Sequence, residues 1–322
     1  MAILLTGGLG YIGSHIAKLL KKKSVIIDNQ SNSQLNFKKY LPEANVYLSD
    51  LNKHTLEKVF VKHKIQGVIH LAGLKSVNES VLNPLQYYEN NIGSSIALLE
   101  AMNKFKVDKF IFSSSATVYG NQNLSPLREN MTLKSVNPYA STKIIIEHLL
   151  NDYALSNSNF KAISLRYFNP IGADVKSNLS EQPLGQPQNI MPILVRAASE
   201  QKVFSIYGNN YETHDGTCIR DYIHVKDLAL AHVLALKKIH KFKGHTPLNI
   251  GLGKGLSVLE VISLFEKVNQ VKIHTRITAR RKGDVAISFA DNKKAKKLLE
   301  WKPQYSYESM MQDAWQAFRK KS

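Results

Sequence analysis

Tyr139 and Lys143 have the residue types and the spacing for proton transfer. They stand four apart, so on a helix both project from one face and reach one ligand. A phenol with a pKa near ~10 is a poor base at neutral pH, but an adjacent ammonium favours its ionised form and makes it a usable general base. The lysine is also placed to hold a ribose. Ser115, expected just after the fifth strand at the same sheet edge, is positioned to relay a hydroxyl proton to the phenolate. Tyr222 and Lys226 share the same spacing. The run Asp221-Tyr222-Ile223-His224-Val225 reads as a strand, however, in which residues four apart lie roughly 13 Å from each other and cannot converge on one atom. Tyr139 instead follows Pro138, a good helix opener, and precedes a helical run from Lys143 to Leu150. The chemistry is therefore assigned to Tyr139, Lys143 and Ser115.

A phosphate-binding turn stands near the start of the chain. Thr6-Gly7-Gly8-Leu9-Gly10-Tyr11-Ile12-Gly13 follows an expected strand and opens an expected helix. Gly7, Gly10 and Gly13 let the backbone turn tightly, approach a pyrophosphate and pack the helix close to the sheet. The helix N-terminus adds N–H groups and partial positive charge. Asp28 ends the second strand, roughly 20 residues on, where an acidic side chain binds the adenosine ribose hydroxyls. Its charge opposes a 2′-phosphate, so NAD is expected rather than NADP. Asp50, after the third strand, is placed to meet the adenine, and Leu71-Ala72-Gly73-Leu74-Lys75, after the fourth, to line the dinucleotide. A positive nicotinamide ring there would join Lys143 in favouring a phenolate.

These residues need elements that bring them to one edge. The first half of the chain alternates β-branched runs with amphipathic stretches, the pattern of a parallel sheet flanked by helices. Strands are expected at Ile3–Thr6, Ser24–Asp28, Asn45–Leu48, Gly67–Leu71, Lys109–Ser113 and Lys161–Arg166, and helices at Tyr11–Lys22, Lys53–His63, Leu85–Lys104 and Tyr139–Leu155. Right-handed crossovers place the C-terminal strand ends along one edge, where ligands bind in such folds. After Asn169 a Pro- and Gly-containing stretch, Pro170–Pro187, breaks the alternation. The expected fold is α/β: a Rossmann-type doubly wound parallel sheet over residues 1–168, with a smaller C-terminal α/β substrate-binding domain over 169–322. Segments around 220–238 are candidates to return to the first domain.

Composition narrows the partners. Of 322 residues, 43% are hydrophobic and 21% charged, as in a globular chain that folds in water. No apolar run reaches the roughly 18 residues of a spanning helix, so no membrane insertion is expected. The single cysteine, Cys218, has no partner for a disulfide, redox or metal motif, and a cytoplasmic location fits. The formal charge of +18 raises nucleic acid or an anionic substrate as partners. Groups such as Lys21-Lys22-Lys23, Lys237-Lys238 and Lys293-Lys294 are expected toward helix ends, where cations offset the dipole. No zinc-finger spacing or aromatic-plus-basic RNA motif accompanies them, so nucleic acid is not expected.

Further motifs carry a resemblance. They are Thr6 to Gly13 continued by Ser14-His15, Asp28-Asn29 with Ser31-Asn32-Ser33, Ala72-Gly73-Leu74-Lys75, Tyr87-Tyr88-Glu89-Asn90-Asn91 and Ser113-Ser114-Ser115-Ala116-Thr117-Val118-Tyr119-Gly120. Pro138-Tyr139 with Lys143, Arg166-Tyr167-Phe168-Asn169-Pro170, Asn189 to Pro192, Asp215-Gly216-Thr217, Arg220 to Val225 and Arg280-Arg281-Lys282-Gly283-Asp284 follow. With these the chain resembles, nearly end to end, the UDP-glucose 4-epimerase family of the extended short-chain dehydrogenase/reductase superfamily. The resemblance implies Tyr139 as proton acceptor, Lys143 as its cationic partner and Ser115 as relay. It implies NAD held by Tyr11, Ile12, Asp28, Asn29, Gln30, Ser31, Asn32, Ser33, Asp50, Leu51, Leu71, Ala72, Gly73, Leu74, Lys75, Asn90, Ser113, Lys143 and Phe168. A UDP-hexose would be held by Lys75, Ser115, Tyr139, Asn169, Asn189, Ile190, Ser205, Ile206, Tyr207, Arg220, Arg281 and Asp284. The two arginines would neutralise the diphosphate through charge-assisted bonds. The implied reaction inverts C4 through a 4-keto sugar, in a homodimer formed by helices of the first domain.

One departure bears on specificity. Counted from Arg281 and Asp284, Ser288 falls where relatives restricted to unacetylated sugars carry a bulky tyrosine, so acceptance of UDP-GlcNAc and UDP-GalNAc is expected beside UDP-glucose and UDP-galactose. A nucleotide-sugar 4,6-dehydratase on the same scaffold would need an acid near C5 and C6, where such relatives carry Asp-Glu and this chain has Ala116 and Thr117. A catalytically idle NAD-binding module that docks nucleic acid or membrane is opposed by the intact Ser115, Tyr139 and Lys143.

Overall fold

The computed structural model describes residues 2–33, 35–121, 124–281 and 283–320. Lys282 of the basic motif lies outside them. In chain order the elements are β1 (Ala2–Thr6), α1 (Tyr11–Leu20), β2 (Ser24–Asp28), α2 (Phe37–Tyr40), β3 (Asn45–Leu48), α3 (Lys53–Lys62), β4 (Ile65–His70), α4 (Val77–Leu82), α5 (Pro84–Tyr88), α6 (Ser94–Lys104), β5 (Lys109–Ser115), α7 (Pro138–Ser156) and β6 (Lys161–Tyr167). There follow β7 (Asn169–Ile171), α8 (Ile190–Glu200), β8 (Phe204–Tyr207), β9 (Ile219–Arg220), β10 (Tyr222–His224), α9 (Val225–Lys238), β11 (Gly244–Ile250), β12 (Leu256–Ser257), α10 (Val258–Asn269), β13 (Thr275–Thr278), β14 (Ile287–Ser288), α11 (Lys293–Leu299) and α12 (Tyr307–Arg319).

The chain forms two compact units, each discontinuous in sequence. One comprises Met1–Gly120, Leu133–Arg166 and Ala229–Leu248, the other Asn121–Thr132, Tyr167–Leu228 and Asn249–Ser322. Compared with a single division after residue 168, residues 229–248 join the first unit and 121–132 the second.

The first unit is built on a seven-stranded sheet in the order β11-β6-β5-β4-β1-β2-β3, in which β1 pairs parallel with β2 and β4, β2 with β3, and β4 with β5. Strands β1, β2, β4 and β5 are buried almost throughout, as parallel strands covered on both faces must be, and this accounts for their continuous Val, Ile and Phe content. One core cluster packs Leu4, Val25, Ile27, Val68, Phe110 and Phe112 against Leu56, Leu98 and Ile146. The strand order reverses between β1 and β4. Ligands of such sheets bind beyond the C-terminal strand ends at that switch point, and β1, β2, β4 and β5 end there in Thr6, Asp28, His70 and Ser115.

The second unit has only short strands: β10 with β7, β12 and β14 on either side of β9, and β13 with β8. Its core lies where Met191, Leu194, Phe265, Met310 and Met311 meet. Asp221 acts as its hub: buried, its carboxylate accepts the N–H groups of Leu252 at 2.8 Å, Gly253 at 3.0 Å and Ala290 at 3.1 Å. A capping box joins Ser257 and Glu260 at the start of α10.

Three local expectations are corrected. The strand expected over Asp221–Val225 covers only Tyr222–His224, because Val225 opens α9, and Lys226 turns away to Asp174 at 3.7 Å. The helix expected over Leu85–Lys104 is divided by a π turn, Glu89–Gly93. Lys293 begins α11 rather than ending a helix, so its charge stands at the unfavourable end of that dipole.

Candidate active site

Helix α7 begins with Asn137 as N-cap, its side chain accepting the Ala140 N–H at 2.8 Å, and with Pro138 in the first turn. This start fixes Tyr139 and Lys143 on the inward stripe, where they are 7% and 5% exposed. Lys143 Nζ donates to the Ser113 carbonyl at 2.9 Å and stands 5.7 Å from the Tyr139 ring centroid. Ser115 lies near enough to the Tyr139 phenol to favour its ionised form, and its oxygen accepts the Thr117 hydroxyl at 3.0 Å. Burial pushes the phenol up to about 12, opposed by the Ser115 hydroxyl. Burial also brings Lys143 down to about 8, opposed by the Glu147 carboxylate. The three residues assigned to chemistry are thus brought together.

The glycine turn has the shape a pyrophosphate requires. Gly7 has φ +69°, and a Cβ there would stand 2.7 Å from the Ala72 nitrogen. A Cβ at Gly13 would stand 2.2 Å from the Gly7 carbonyl oxygen. Gly10 caps α1 without a side-chain bond and the first turn holds no acid, which leaves that helix end suited to an anion. Asp28 accepts the N–H of Leu9 at 2.9 Å and of Gln30 at 2.7 Å, and burial raises its pKa. Ser33 donates to the Leu9 carbonyl at 2.8 Å, and Asn29 to Asp50 at 2.7 Å. The segment after β2 is therefore folded onto the glycine turn, with Ser31 and Asn32 exposed. A cradle that a Cβ would fill, with an acid beside it, fits a dinucleotide.

The loop after β4 is held by Asn91, a motif residue to which the sequence assigned no role. Asn91, buried in the π turn, accepts the Leu74 N–H at 2.8 Å, and its amide donates to the Leu74 carbonyl at 3.0 Å. The neighbouring Asn90, assigned to NAD, is exposed, as is Lys75. His70 bonds Thr6 at 2.7 Å and Ser95 at 3.0 Å. Ser95 donates to the Asn91 carbonyl, so its oxygen accepts from His70 Nε2, and Nδ1 receives the Thr6 proton. Thr6 in turn accepts the Ala72 N–H at 3.3 Å. Burial, with the Lys143 charge second, holds the imidazole neutral with a pKa of about 3. The signal for Asn91 was present: the Asn-Asn pair interrupts a helical run, and π turns gather at functional sites.

The residues assigned to a UDP-hexose, apart from Lys75, Ser115 and Tyr139, fall in the second unit. Arg220 donates to the Val285 carbonyl at 2.7 Å and meets Asp284 at 3.4 Å. Ser288 lies beside it, on β14 paired with β9. The Arg281 guanidinium lies 3.8 Å from the Tyr207 ring centroid. Ser205, Ile206 and Tyr207 sit on β8, Ile206 buried and Tyr207 exposed. Asn189 caps α8 ahead of Ile190 and donates to Glu181 at 2.5 Å. Phe168 is buried, and its N–H bonds the Ile250 carbonyl, while Asn169 is exposed with its N–H on the Asp221 carbonyl. Among the described residues no cluster suited to a metal ion occurs, and no helix is long and apolar enough to cross a membrane.

Known proteins share this chain's sequence and fold. A model of the NAD dependent epimerase/dehydratase family matches residues 3–251. A UDP-glucose 4-epimerase of Bacillus subtilis (strain 168) is 44% identical over 325 residues, covering 98% of this chain and 96% of that protein. The crystal structure of a UDP-glucose 4-epimerase from Stenotrophomonas maltophila with bound NAD and formylated UDP-arabinopyranose superposes with a TM-score of 0.96 at 40% identity, covering 100% and 98% of the two chains. That of the Bifidobacterium longum enzyme with NAD+ and UDP gives 0.94 at 39% identity, covering 99% and 98%.

Proposed function

We infer the reaction from one premise: this chain belongs to the NAD dependent epimerase/dehydratase family. It is an NAD-dependent UDP-glucose 4-epimerase, interconverting UDP-glucose and UDP-galactose. The observation that carries the mechanism is the burial of Ser115, Tyr139 and Lys143 side by side, with the Lys143 ammonium 5.7 Å from the Tyr139 ring centroid, at the strand edge where the glycine turn also lies.

NAD, held by the glycine turn and Asp28, would supply reversible hydride acceptance at C4 of the sugar and a positive charge in the site. Tyr139 takes the C4 hydroxyl proton through or beside Ser115. Its phenol resists ionisation in the buried site, and Lys143 with the added cofactor charge opposes that resistance. Gly7, Gly10, Gly13 and the first turn of α1 hold the pyrophosphate, with Asp28 on the adenosine ribose. Arg220 and Arg281 hold the substrate diphosphate, so the sugar turns over its second face without leaving. The 4,6-dehydratase alternative lacks its acid: Thr117 is spent on Ser115.

The finer specificity follows from Ser288. A small side chain paired with Arg220 leaves room at the C2 substituent, and UDP-GlcNAc and UDP-GalNAc are turned over too. A homodimer belongs to the same reading, because Val81, Leu82 and Leu85 expose apolar surface on α4 and α5. A cytoplasmic location suits the free Cys218 thiol. Incubation with each UDP-sugar and proton NMR of the C4 epimer tests the assignment. UDP-galactose is expected from UDP-glucose, and its absence overturns the reaction. Failure with the acetylated pair alone overturns only the broader specificity.

A further inference from the structure

Helix α7 carries a third inward group one turn beyond Lys143. Glu147 is 3% exposed. Its Oε1 accepts the Ser114 hydroxyl at 2.5 Å and Arg166 Nε at 3.0 Å, and its Oε2 accepts Arg166 Nη2 at 2.5 Å. Arg166 comes from β6, donates through Nη1 to the Tyr119 hydroxyl at 3.1 Å and lies 5.2 Å from that ring centroid. Burying an ion pair is costly, and well-packed apolar residues of similar volume often serve stability as well or better. The pair therefore calls for a use other than stability.

Its position supplies one. Three consecutive serines end β5, and the first two are tied to α7 at different residues. The Ser113 carbonyl takes the Lys143 ammonium and the Ser114 hydroxyl goes to Glu147, while Ser115 stands by the Tyr139 phenol. Strand alternation turns the Ser113 and Ser114 side chains to opposite faces. There His232 of α9 grips the first at 2.8 Å and Glu147 the second. The Ser114–Glu147 bond is the one of the two ties that leaves the proton-transferring groups free, so it sets register without consuming them. The Glu147 charge also favours the charged form of Lys143.

We propose that Ser114, Glu147 and Arg166 form a latch that fixes the register of β5 against α7 and so sets the Ser115 hydroxyl beside the Tyr139 phenol. Glu147 is then a positioning residue for proton transfer, a role that rests on the epimerase reading above. A cavity of about 280 Å³ reaches Glu147 and Arg166 beside His148 and His245, so a small carboxylate can replace a truncated Glu147.

Ser114→Ala opens the latch and leaves the ion pair in place. Its kcat is expected to fall roughly tenfold to hundredfold, with KM for UDP-glucose within about twofold. The ring-carbon NMR signal of ¹³C-labelled Tyr139, assigned through Tyr139→Phe, is expected to move. Glu147→Ala should lose kcat similarly and regain part of it in formate. Parent-like kcat together with an unmoved Tyr139 signal in Ser114→Ala overturns the latch, and that variant decides alone if Glu147→Ala fails to fold. A parent protein that epimerises nothing sinks the assigned reaction instead, and the Tyr139 signal still judges the latch.

Discussion

The residues proposed for proton transfer in the first unit and those proposed for the diphosphate in the second are presented in opposite ways. In the first, Ser115, Tyr139 and Lys143 are all under 10% exposed and stand at the end of a strand or in the first turns of a nineteen-residue helix. In the second, Arg220 and Ser288 lie on strands of two residues, and Arg281, Tyr207 and Asn189 are exposed. Proton transfer tolerates little misplacement, and buried positions locked by packing supply that accuracy. Recognition of a flexible diphosphate sugar needs charge and reach, which long side chains on short elements provide. On the proposed reading, the proton-transferring residues serve geometry and the diphosphate residues serve affinity.

Substitutions that separate rate from binding put this contrast at risk. The largest effect is expected from Tyr139→Phe, which should lower kcat by about 10²–10⁴-fold with little change in KM. Near-parent kcat would place the proton acceptor elsewhere. Arg220→Met should raise KM for UDP-glucose roughly 10–100-fold, the loss of one or two charge-assisted bonds, with kcat nearly kept. A kcat loss as large as its KM rise would give the second unit a share in the chemistry. Ser288→Tyr should show the smallest effect, a decrease of about tenfold in kcat/KM for UDP-GlcNAc relative to UDP-glucose. Equal loss on both sugars would show that position 288 does not sense the C2 substituent.

What was legible in the sequence follows the same contrast. Strand β2 matches its expected bounds and α7 lies within one residue of its own, because a buried parallel strand and a capped helix write their period into the residues themselves. The glycine turn, Asp28 and the Tyr139–Lys143 pair were readable for the same reason. The strands of the second unit were not. Two-residue pairings such as β9 with β14 join residues 68 apart in sequence, Ile219 with Ile287, and leave no periodicity to read. Nor was the His70–Ser95–Asn91 chain, whose members only the folded sheet brings together. Glu147 left a trace, four residues after Lys143, but its partners Ser114 and Arg166 come from two different strands.

The π turn at Glu89–Gly93 bears on how this chain tolerates change. One surplus residue there points Asn91 at the loop after β4 while Leu98 and Met102 of α6 still face the core. The wide turn takes up that residue, so deleting it would let the helix wind regularly with Leu98 and Met102 still turned inward. The two bonds of Asn91 to Leu74 are what such a deletion would remove. The surplus residue thus serves the loop and not the interior, and a one-codon deletion there is expected to loosen that loop while the fold stands.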